Sequence, residues 1–434
     1  MNFAISKPGA RVLHSHWSPD SGSKGRSTLL TVGENLCRYY GVPNSLDGDV
    51  GTIEHFDQSS IPADSDITAM AWHPEGHTAT IAVDSVRDLA GEKKSTTQVL
   101  MDIGRDYGSV YFPPGPDLLD PPGIVLCIRY SPDGEYVLIL RTNLKRGSAQ
   151  VYRTRPNAKK PYLRTEPVAW RTFEHQALDA AWCGSNAFFV CGEHGLQSEF
   201  TLDLGQEGAE AENLTAEKMA IHCLRERLNP QNEPEITWDK MRFDETVGLV
   251  VCVSTASQLM YTGTPRNDRN ENDQSPFDAT REIQPGLTGL AFQPRPIVES
   301  ESSSSTLLAM AFEDGTCSLH TMSFNSFGNR TTHELCWLRM DESPALALEW
   351  SPDGEYLAVA STDEVRIWRP KTDGSFDHRR PLVTWRAASN GALPETGEAN
   401  GEDAVLSEPG LSWDASGERL CFAHDTQVCF LSVD

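Results

Sequence analysis

The chain has 434 residues and a net charge of −25, from 62 acidic and 37 basic side chains. Because an acidic surface repels phosphate, this balance excludes a general binder of nucleic acid or of anionic membranes. Hydrophobic residues make up 38% of the chain and charged residues 23%, which predicts a folded protein with polar insertions.

The first 15 residues lack the charged segment followed by an apolar segment that marks a secretory signal. Apolar runs also stay well short of the roughly 18 residues that span a bilayer. The ten cysteines stand singly, without a CxxC pair. We therefore expect no secretion and no membrane insertion, with free thiols in a reducing compartment.

A short pattern recurs along the chain: an apolar run ending in an aromatic residue, a polar turn and a second apolar run. Its two sharpest copies share the six residues SPDGEY, at 131–136 and 351–356. Proline sets φ at the start of a turn, aspartate caps the turn, and glycine adopts the positive φ that closes it. Each copy therefore predicts a β-hairpin.

Eight copies occur, and their aromatic anchors lie 49 to 63 residues apart. The anchors are Trp17, Trp72, Tyr130, Trp182, Phe243, Phe292, Trp350 and Trp413. Each anchor ends the first strand of its unit, and a second strand, a third strand and a less regular fourth strand follow it. Four short strands repeated at this spacing predict one all-β domain over residues 1–434, a closed β-propeller of eight four-stranded blades, with seven blades as the fallback.

The two ends of the chain complement each other in this scheme. The eighth unit supplies three strands up to residues 428–433, and residues 1–6 alternate like an edge strand. We predict that the N-terminal strand pairs beside residues 428–433 and completes the last blade, which removes an unpaired sheet edge.

Polar insertions interrupt the repeat near residues 85–95, 205–230, 264–280, 297–306 and 387–409. The Ser-rich insertion at 297–306 and the acidic one at 387–409 are expected to be irregular loops. Within 208–228, Leu214, Ile221, Leu224 and Leu228 are compatible with one helical face, which predicts a helix on the rim of the propeller. The fourth strand of the fourth blade is expected to follow or overlap this helix.

Basic residues concentrate on turns at one end of the second and third blades. Residues 141–171 hold nine basic side chains and one acidic one, Glu166. Two interpretations stay open: solvated strand edges, or a docking point for an acidic segment or a phosphate of a partner. The candidate partner-binding residues are Arg87, Lys93, Lys94, Arg141, Lys145 and Arg146.

Catalytic patterns are missing from the sequence. Residues 22–28 have the residue types of a phosphate-binding loop at the wrong spacing, and neither a nucleophile elbow nor an HExxH motif occurs. The nearest metal-like set is His175, Cys183, Cys191 and His194, interpreted as core thiols and turn histidines. Isolated histidines are interpreted as solvated: His73, His77 and His424. We predict no enzyme, no catalytic residue, no cofactor and no metal, with a propeller hydrolase as the alternative.

The seventh unit resembles the WD-repeat family, which places Ser or Thr, Asp and Trp where this chain has Ser361, Asp363 and Trp368. The resemblance implies a propeller with a binding rather than a catalytic role. Trp368 is followed by Arg369 instead of Asp, and the family's Gly-His dipeptide survives only as Glu174-His175. We therefore expect most of that family's side-chain network to be absent.

Within that family, the order of units is similar to the propeller portion of the transducin-beta-like corepressors. The similarity is closest at 173–188 and continues through the insertion after Phe292 and the eighth unit. It implies a nuclear scaffold, with the cytoplasm as a second location, that bridges corepressor and deacetylase subunits to histone tails. Alternatives are a scaffold of a nuclear pore or a ubiquitin-ligase receptor, although Trp368-Arg369-Pro370 fails the receptor motif Trp-Asp-x-Arg.

Overall fold

A computed structural model gives the fold of this chain. It describes residues 2–20, 26–44, 53–57, 65–76, 78–89, 92–104, 108–112, 123–143, 145–154, 167–202, 221–227, 236–245, 247–263, 279–294, 297–300, 303–325, 330–340, 343–370, 380–387 and 408–433. Every regular element in these ranges is a β-strand, and none of them contains a helix long and apolar enough to cross a membrane.

The strands are numbered in chain order. The first seventeen are β1 (Phe3–Ser6), β2 (Val12–Trp17), β3 (Arg26–Gly33), β4 (Leu36–Pro43), β5 (Glu54–Asp57), β6 (Ser65–Trp72), β7 (Thr78–Leu89), β8 (Glu92–Gly104), β9 (Gly108–Phe112), β10 (Ile124–Tyr130), β11 (Tyr136–Thr142), β12 (Gly147–Arg153), β13 (Ala169–Phe173), β14 (Ala177–Trp182), β15 (Ala187–Gly192), β16 (Gln197–Leu202) and β17 (Ile221–Arg227). The others are β18 (Lys240–Asp244), β19 (Leu249–Ser254), β20 (Leu259–Gly263), β21 (Ala279–Glu282), β22 (Leu287–Phe292), β23 (Ile297–Ser300), β24 (Ser303–Phe312), β25 (Thr316–Asn325), β26 (Arg330–Arg339), β27 (Ala347–Trp350), β28 (Leu357–Ala360), β29 (Glu364–Trp368), β30 (Val383–Arg386), β31 (Gly410–Trp413), β32 (Arg419–His424) and β33 (Gln427–Ser432).

These strands form eight antiparallel sheets, which confirms the eight predicted blades. Sheets 1 to 5 are consecutive sets of four strands, from β2–β5 to β18–β21. Sheet 6 runs β22-β24-β25-β26 with β23 paired to β24, sheet 7 is β27–β30, and sheet 8 runs β31-β32-β33-β1. Each aromatic anchor lies at the end of the first strand of its sheet, or one residue before it in sheet 5.

Strand β1 confirms the predicted role of the N-terminus. It pairs antiparallel with β33, with Phe3 opposite Leu431 and Ser6 opposite Val428. A further backbone hydrogen bond runs from the Ser432 N–H to the Asn2 carbonyl. The chain start therefore supplies the fourth strand of sheet 8.

Residue contacts group the chain into two compact units. The terminal unit is Met1–Ser59 with Gln284–Asp434, and the middle unit is Ser60–Ile283. In the middle unit, the first strands of sheets 2, 3, 4 and 5 contact one another in that order. The first strands of sheets 6, 7, 8 and 1 do so in the terminal unit. The first strands of neighbouring sheets are thus in contact within each unit. Closure of the eight sheets into one ring stays a prediction of the sequence.

Apolar side chains fill the space between neighbouring sheets. Between sheets 3 and 4, Leu138 packs in one cluster with Trp182 and Phe188. Corresponding clusters lie between the other adjacent sheets within each unit. Strands β11 and β28 are buried along their whole length, because each belongs to a sheet with an apolar neighbour on both faces.

The two SPDGEY segments form tight hairpin turns. In both, the serine hydroxyl donates to the aspartate carboxylate, which accepts the N–H of the following glutamate. Gly134 and Gly354 have φ angles of 71° and 69°, a region where an L side chain would be strained. The turn chemistry expected from the sequence is therefore present.

Two insertions differ from the expected structure. Residues 221–227 form β17, the fourth strand of sheet 4, so the helix predicted within 208–228 is wrong over these residues and the fourth strand expected to follow or overlap it is present. Residues 208–220 lie outside the described residues. Within 297–306, β23 and β24 pair as a hairpin, with Ile297 opposite Ser305, so the irregular loop predicted there is also wrong. In both cases backbone pairing with a neighbouring strand decides the conformation over the local pattern. The insertion at 85–95 extends β7 and β8 as a hairpin, while 264–278 and 388–407 lie outside the described residues.

Candidate functional site

Indole groups link the first strands of adjacent sheets. The Trp182 indole N–H donates to the Arg129 carbonyl of the preceding sheet at 2.9 Å. The Trp350 and Trp413 indoles make the equivalent bonds to the carbonyls of Ala291 and Glu349. The recurring aromatic residue therefore sets the spacing between neighbouring first strands and holds their side chains in register.

A second repeated contact joins the hairpin turns. His73 follows its aromatic anchor, is 6% exposed, and bonds through Nε2 to the Gly134 carbonyl of the next sheet at 3.1 Å. Gln293 makes the corresponding bond to the Gly354 carbonyl at 2.8 Å. The interpretation of His73 as a solvated side chain is wrong, because the turn of sheet 3 covers it.

We expect His73→Ala to lower the free energy of unfolding by about 1–3 kcal/mol, because it removes a buried hydrogen bond and opens a small cavity. His73 Nδ1 accepts the Glu75 N–H, so the proton sits on Nε2 and the ring is neutral. Chemical denaturation followed by tryptophan fluorescence measures the change. Replacing the exposed His333 by alanine is the control, and an equal loss in both variants would contradict the packing role.

The side-chain network typical of WD repeats is incomplete in sheet 7, as expected. The Ser361 hydroxyl donates to Asp363 within the turn, at 2.9 Å. The indole N–H of Trp368 is buried and has no hydrogen-bond partner among the described residues. Apolar packing rather than this network therefore holds Trp368 in place.

Charged residues converge where the first strands of the middle unit meet. Asp179 on β14 accepts hydrogen bonds from Arg129 on β10 and Arg242 on β18, both at 3.3 Å. Its carboxylate also accepts the backbone N–H of Met241. We call Arg129, Asp179 and Arg242 the arginine cluster. One carboxylate thus joins three successive sheets.

The arginine cluster is a set of site residues that the local sequence patterns did not reveal. The signal was present in the repeat itself, since Arg129 and Arg242 each stand directly before the aromatic anchor of an otherwise mostly apolar first strand. Aligning the eight units on their anchors would place the two arginines at equivalent positions. Their meeting at Asp179 depends on sheet order, which local patterns do not encode.

A carboxylate without a paired cation among the described residues occupies the corresponding first strand of sheet 7. Glu349 Oε2 is buried without a hydrogen-bond partner among the described residues. Burial raises the pKa of Glu349 to about 8, and a hydrogen bond from the Trp413 backbone opposes this shift. The Glu349 charge also adds to burial in raising the pKa of the neighbouring Cys421 to about 12.

We expect Glu349→Gln to stabilise the protein by on the order of a few kcal/mol above pH 8 and to change little below pH 5. The folded-state pKa of about 8 exceeds the usual 4.5, so the folded chain keeps a proton that the unfolded chain has lost. Wild-type stability therefore falls as pH rises through this window. Denaturation midpoints from pH 5 to 8.5 measure the difference, and parallel profiles for the two proteins would contradict it.

The predicted basic docking residues fall into three groups. Arg87, Lys93 and Lys94 lie in the β7–β8 hairpin, with Arg87 opposite Lys94 in the backbone register. Lys145 and Arg146 are exposed on the β11–β12 turn, where the Asn143 side chain accepts both of their backbone N–H groups. Arg141 differs, because it lies within β11 and is only 4% exposed.

The metal-like histidines and cysteines do not assemble into one set of ligands. The His175 and His194 rings lie 3.7 Å apart between centroids. Cys191 is buried on β15, where burial raises its pKa well above the usual value. Among the residues that the structure describes, no group of three or more His, Cys, Asp or Glu side chains could hold a metal ion.

Comparison with known proteins finds a family match in one segment of the chain. The family model described as WD domain, G-beta repeat matches residues 339–369, which contain β27, β28 and β29. No curated protein sequence matches the chain at a significant level. The sequence evidence therefore concentrates in sheet 7, where the predicted WD-repeat resemblance was sharpest.

Solved structures extend the similarity to the whole chain. The C-terminal WD40 domain of Sif2 aligns over 100% of this chain and 99% of its own, with a TM-score of 0.59 and 11% identity. Chaetomium thermophilum Sqt1 bound to the N-terminus of the ribosomal protein L10 aligns over 98% and 97%, with a TM-score of 0.57 and 14% identity. The eight sheets, the repeat in sheet 7 and these two alignments show that the chain has the fold of a WD40 β-propeller.

Proposed function

We propose that this protein is a non-catalytic scaffold that holds partner proteins in a nuclear complex of the transcriptional corepressor type. The observation that carries the scaffold role is the full-length similarity to WD40 propellers, one of which is bound to a segment of another protein. WD40 propellers present turns and strand edges that bind protein segments. The corepressor context rests on the order of the repeat units.

Charge distribution supports two kinds of partner. The net charge of −25 suits basic segments such as histone tails, because opposite charges steer association. The exposed Lys145 and Arg146, with Arg87, Lys93 and Lys94 on the neighbouring sheet, suit acidic segments. The buried Arg141 is better placed to support the turn than to bind a partner. If reversing Lys93, Lys94, Lys145 and Arg146 to Glu leaves every partner bound, these turns are not a docking site.

Affinity purification from the protein's own cells tests the corepressor context. The expected result is co-purification of deacetylase and corepressor subunits, with deacetylase activity in the eluate and a nuclear signal for the tagged chain. Nucleoporins or ubiquitin-ligase subunits in their place would contradict the corepressor context and assign the scaffold to another assembly. A chain recovered without partners would contradict the scaffold role and favour the propeller hydrolase.

A further inference from the structure

We propose that Arg129 and Arg242 bind an acidic side chain of a partner protein, a carboxylate or a phosphate, beside Asp179. This inference rests on the proposed scaffold function and specifies the chemistry of one partner. The two guanidinium groups meet the same carboxylate from opposite sheets. With Asp179 ionised, the arginine cluster carries a net charge of +1 within a protein of net charge −25.

Both arginines remain accessible to a ligand. Their side chains are 40% and 43% exposed, whereas that of Asp179 is 10% exposed. Each guanidinium has five N–H donors. Arg129 donates hydrogen bonds to Asp179 and to the Ile128 carbonyl. Arg242 donates hydrogen bonds to Asp179 and to the Met241 carbonyl. Among the described residues, the other donors of each arginine have no hydrogen-bond acceptor and can bind an added oxyanion, a group that arginine binds with fork geometry.

A structural arginine in the same chain has a different environment. The Arg419 side chain is 3% exposed, and it donates to Asp414, Ser27 and the carbonyls of Val42 and Pro43. Its donors are directed at protein acceptors on all sides. Arg129 and Arg242 lack such an arrangement among the described residues, which argues that their role extends beyond joining the sheets.

Electrostatics favour the entry of an anion. The loss of part of its hydration lowers the pKa of the half-exposed Arg242, the Asp179 carboxylate opposes that shift, and the nearby Arg129 charge adds to it. The two guanidinium groups are therefore close enough to repel each other, with one carboxylate between them. Lys240 and Asp244 stand two residues before and after Arg242 on the same face of β18, so their opposite charges offset each other and leave the charge of the arginine cluster unchanged. A carboxylate or a phosphate of a partner would supply the second negative charge that the two guanidinium groups lack.

Binding of short peptides to the full-length protein tests the site. The probes are acetyl-tetraglutamate amide, the same peptide with one phosphoserine, and a tetraglutamine peptide, each titrated by calorimetry at two salt concentrations. We expect both acidic peptides to bind, more weakly at high salt, and the tetraglutamine peptide not to bind. The stronger of the two acidic peptides shows whether carboxylate or phosphate is the preferred group.

Two variants locate the binding to the arginine cluster. Arg129→Gln with Arg242→Gln should weaken binding about 10-fold or more, because two charge-assisted contacts are lost. The matched control, Arg153→Gln with Arg281→Gln, removes two exposed charges from β12 and β21 of the same unit and should bind within about twofold of wild type. Equal binding by wild type and the first variant, or loss in the control alone, would overturn the proposal.

Asp179→Asn separates a binding role from a structural one. The amide keeps the shape and an acceptor, but it removes the negative charge that competes with the ligand. We expect tighter peptide binding, and weaker or unchanged binding would overturn the proposal even if the double arginine variant failed to fold. Purified wild-type protein that binds neither acidic peptide would also overturn the site. If partner proteins still co-purify with the chain from cells in that case, the scaffold role stands although the arginine cluster is not a binding site.

Discussion

Replacing Arg419 by methionine is expected to lower the free energy of unfolding by about 3–5 kcal/mol, because it leaves the Asp414 carboxylate buried without its partner. Asp414 is fully buried, and Arg419 Nε donates to its Oδ2 at 2.8 Å. The guanidinium also donates to the Pro43 carbonyl on β4 at 2.8 Å and lies over the Trp17 ring at 5.5 Å. One side chain thus joins sheet 8 to sheet 1.

Thermal unfolding measures this loss, and the melting temperature should fall by about 6 °C or more for a unit of this size. The control is Arg369→Met, which breaks an ion pair with Glu355 whose two side chains are 56% and 44% exposed. Because water screens exposed charges, the control should change stability by about 1 kcal/mol or less. Similar losses in the two variants would contradict the structural role of the buried pair.

Deleting residues 2–6 is expected to lower stability by about 3 kcal/mol or more, because sheet 8 loses a strand and its apolar contacts. Ala4 is buried between sheets 8 and 1, and the Phe3 ring packs edge-on against Trp385 at 6.5 Å between centroids. Removal of β1 also leaves β33 as an unpaired edge, which promotes association between chains.

Calorimetry and size-exclusion chromatography measure both effects of the deletion. The expected results are a lower melting temperature and a shift toward larger species. Asn2→Asp, which changes an exposed residue and keeps the strand, serves as the control. An unchanged transition in the deletion variant would show that β1 does not support sheet 8.

Local sequence patterns predicted most of the fold. The eight anchors, the two SPDGEY turns and the alternating residues 1–6 all carry short-range signals, and the strands form where those signals place them. Strands β17, β23 and the start of β24 were less predictable, because the spacing of Ile221 and Leu224 also fits a helix and the Glu- and Ser-rich residues 299–305 also fit a loop. They become strands through pairing with β16, β24 and β25.

The candidate site was less predictable, because its contacts cross between sheets. His73 looks solvated beside its turn, and only the neighbouring turn at Gly134 buries it. Arg129, Asp179 and Arg242 are separated by at least 50 residues, and they meet only because β10, β14 and β18 are adjacent. The exposed Lys145 and Arg146 were found because a turn between two apolar strands is recognisable locally.

The scaffold role is tested most directly by native mass spectrometry of the full-length chain purified under mild conditions from its own cells. The account predicts that the chain is recovered in assemblies with one or more other proteins at a fixed integer ratio. Recovery of the chain alone, as a free monomer under conditions that preserve known complexes from the same lysate, would contradict it.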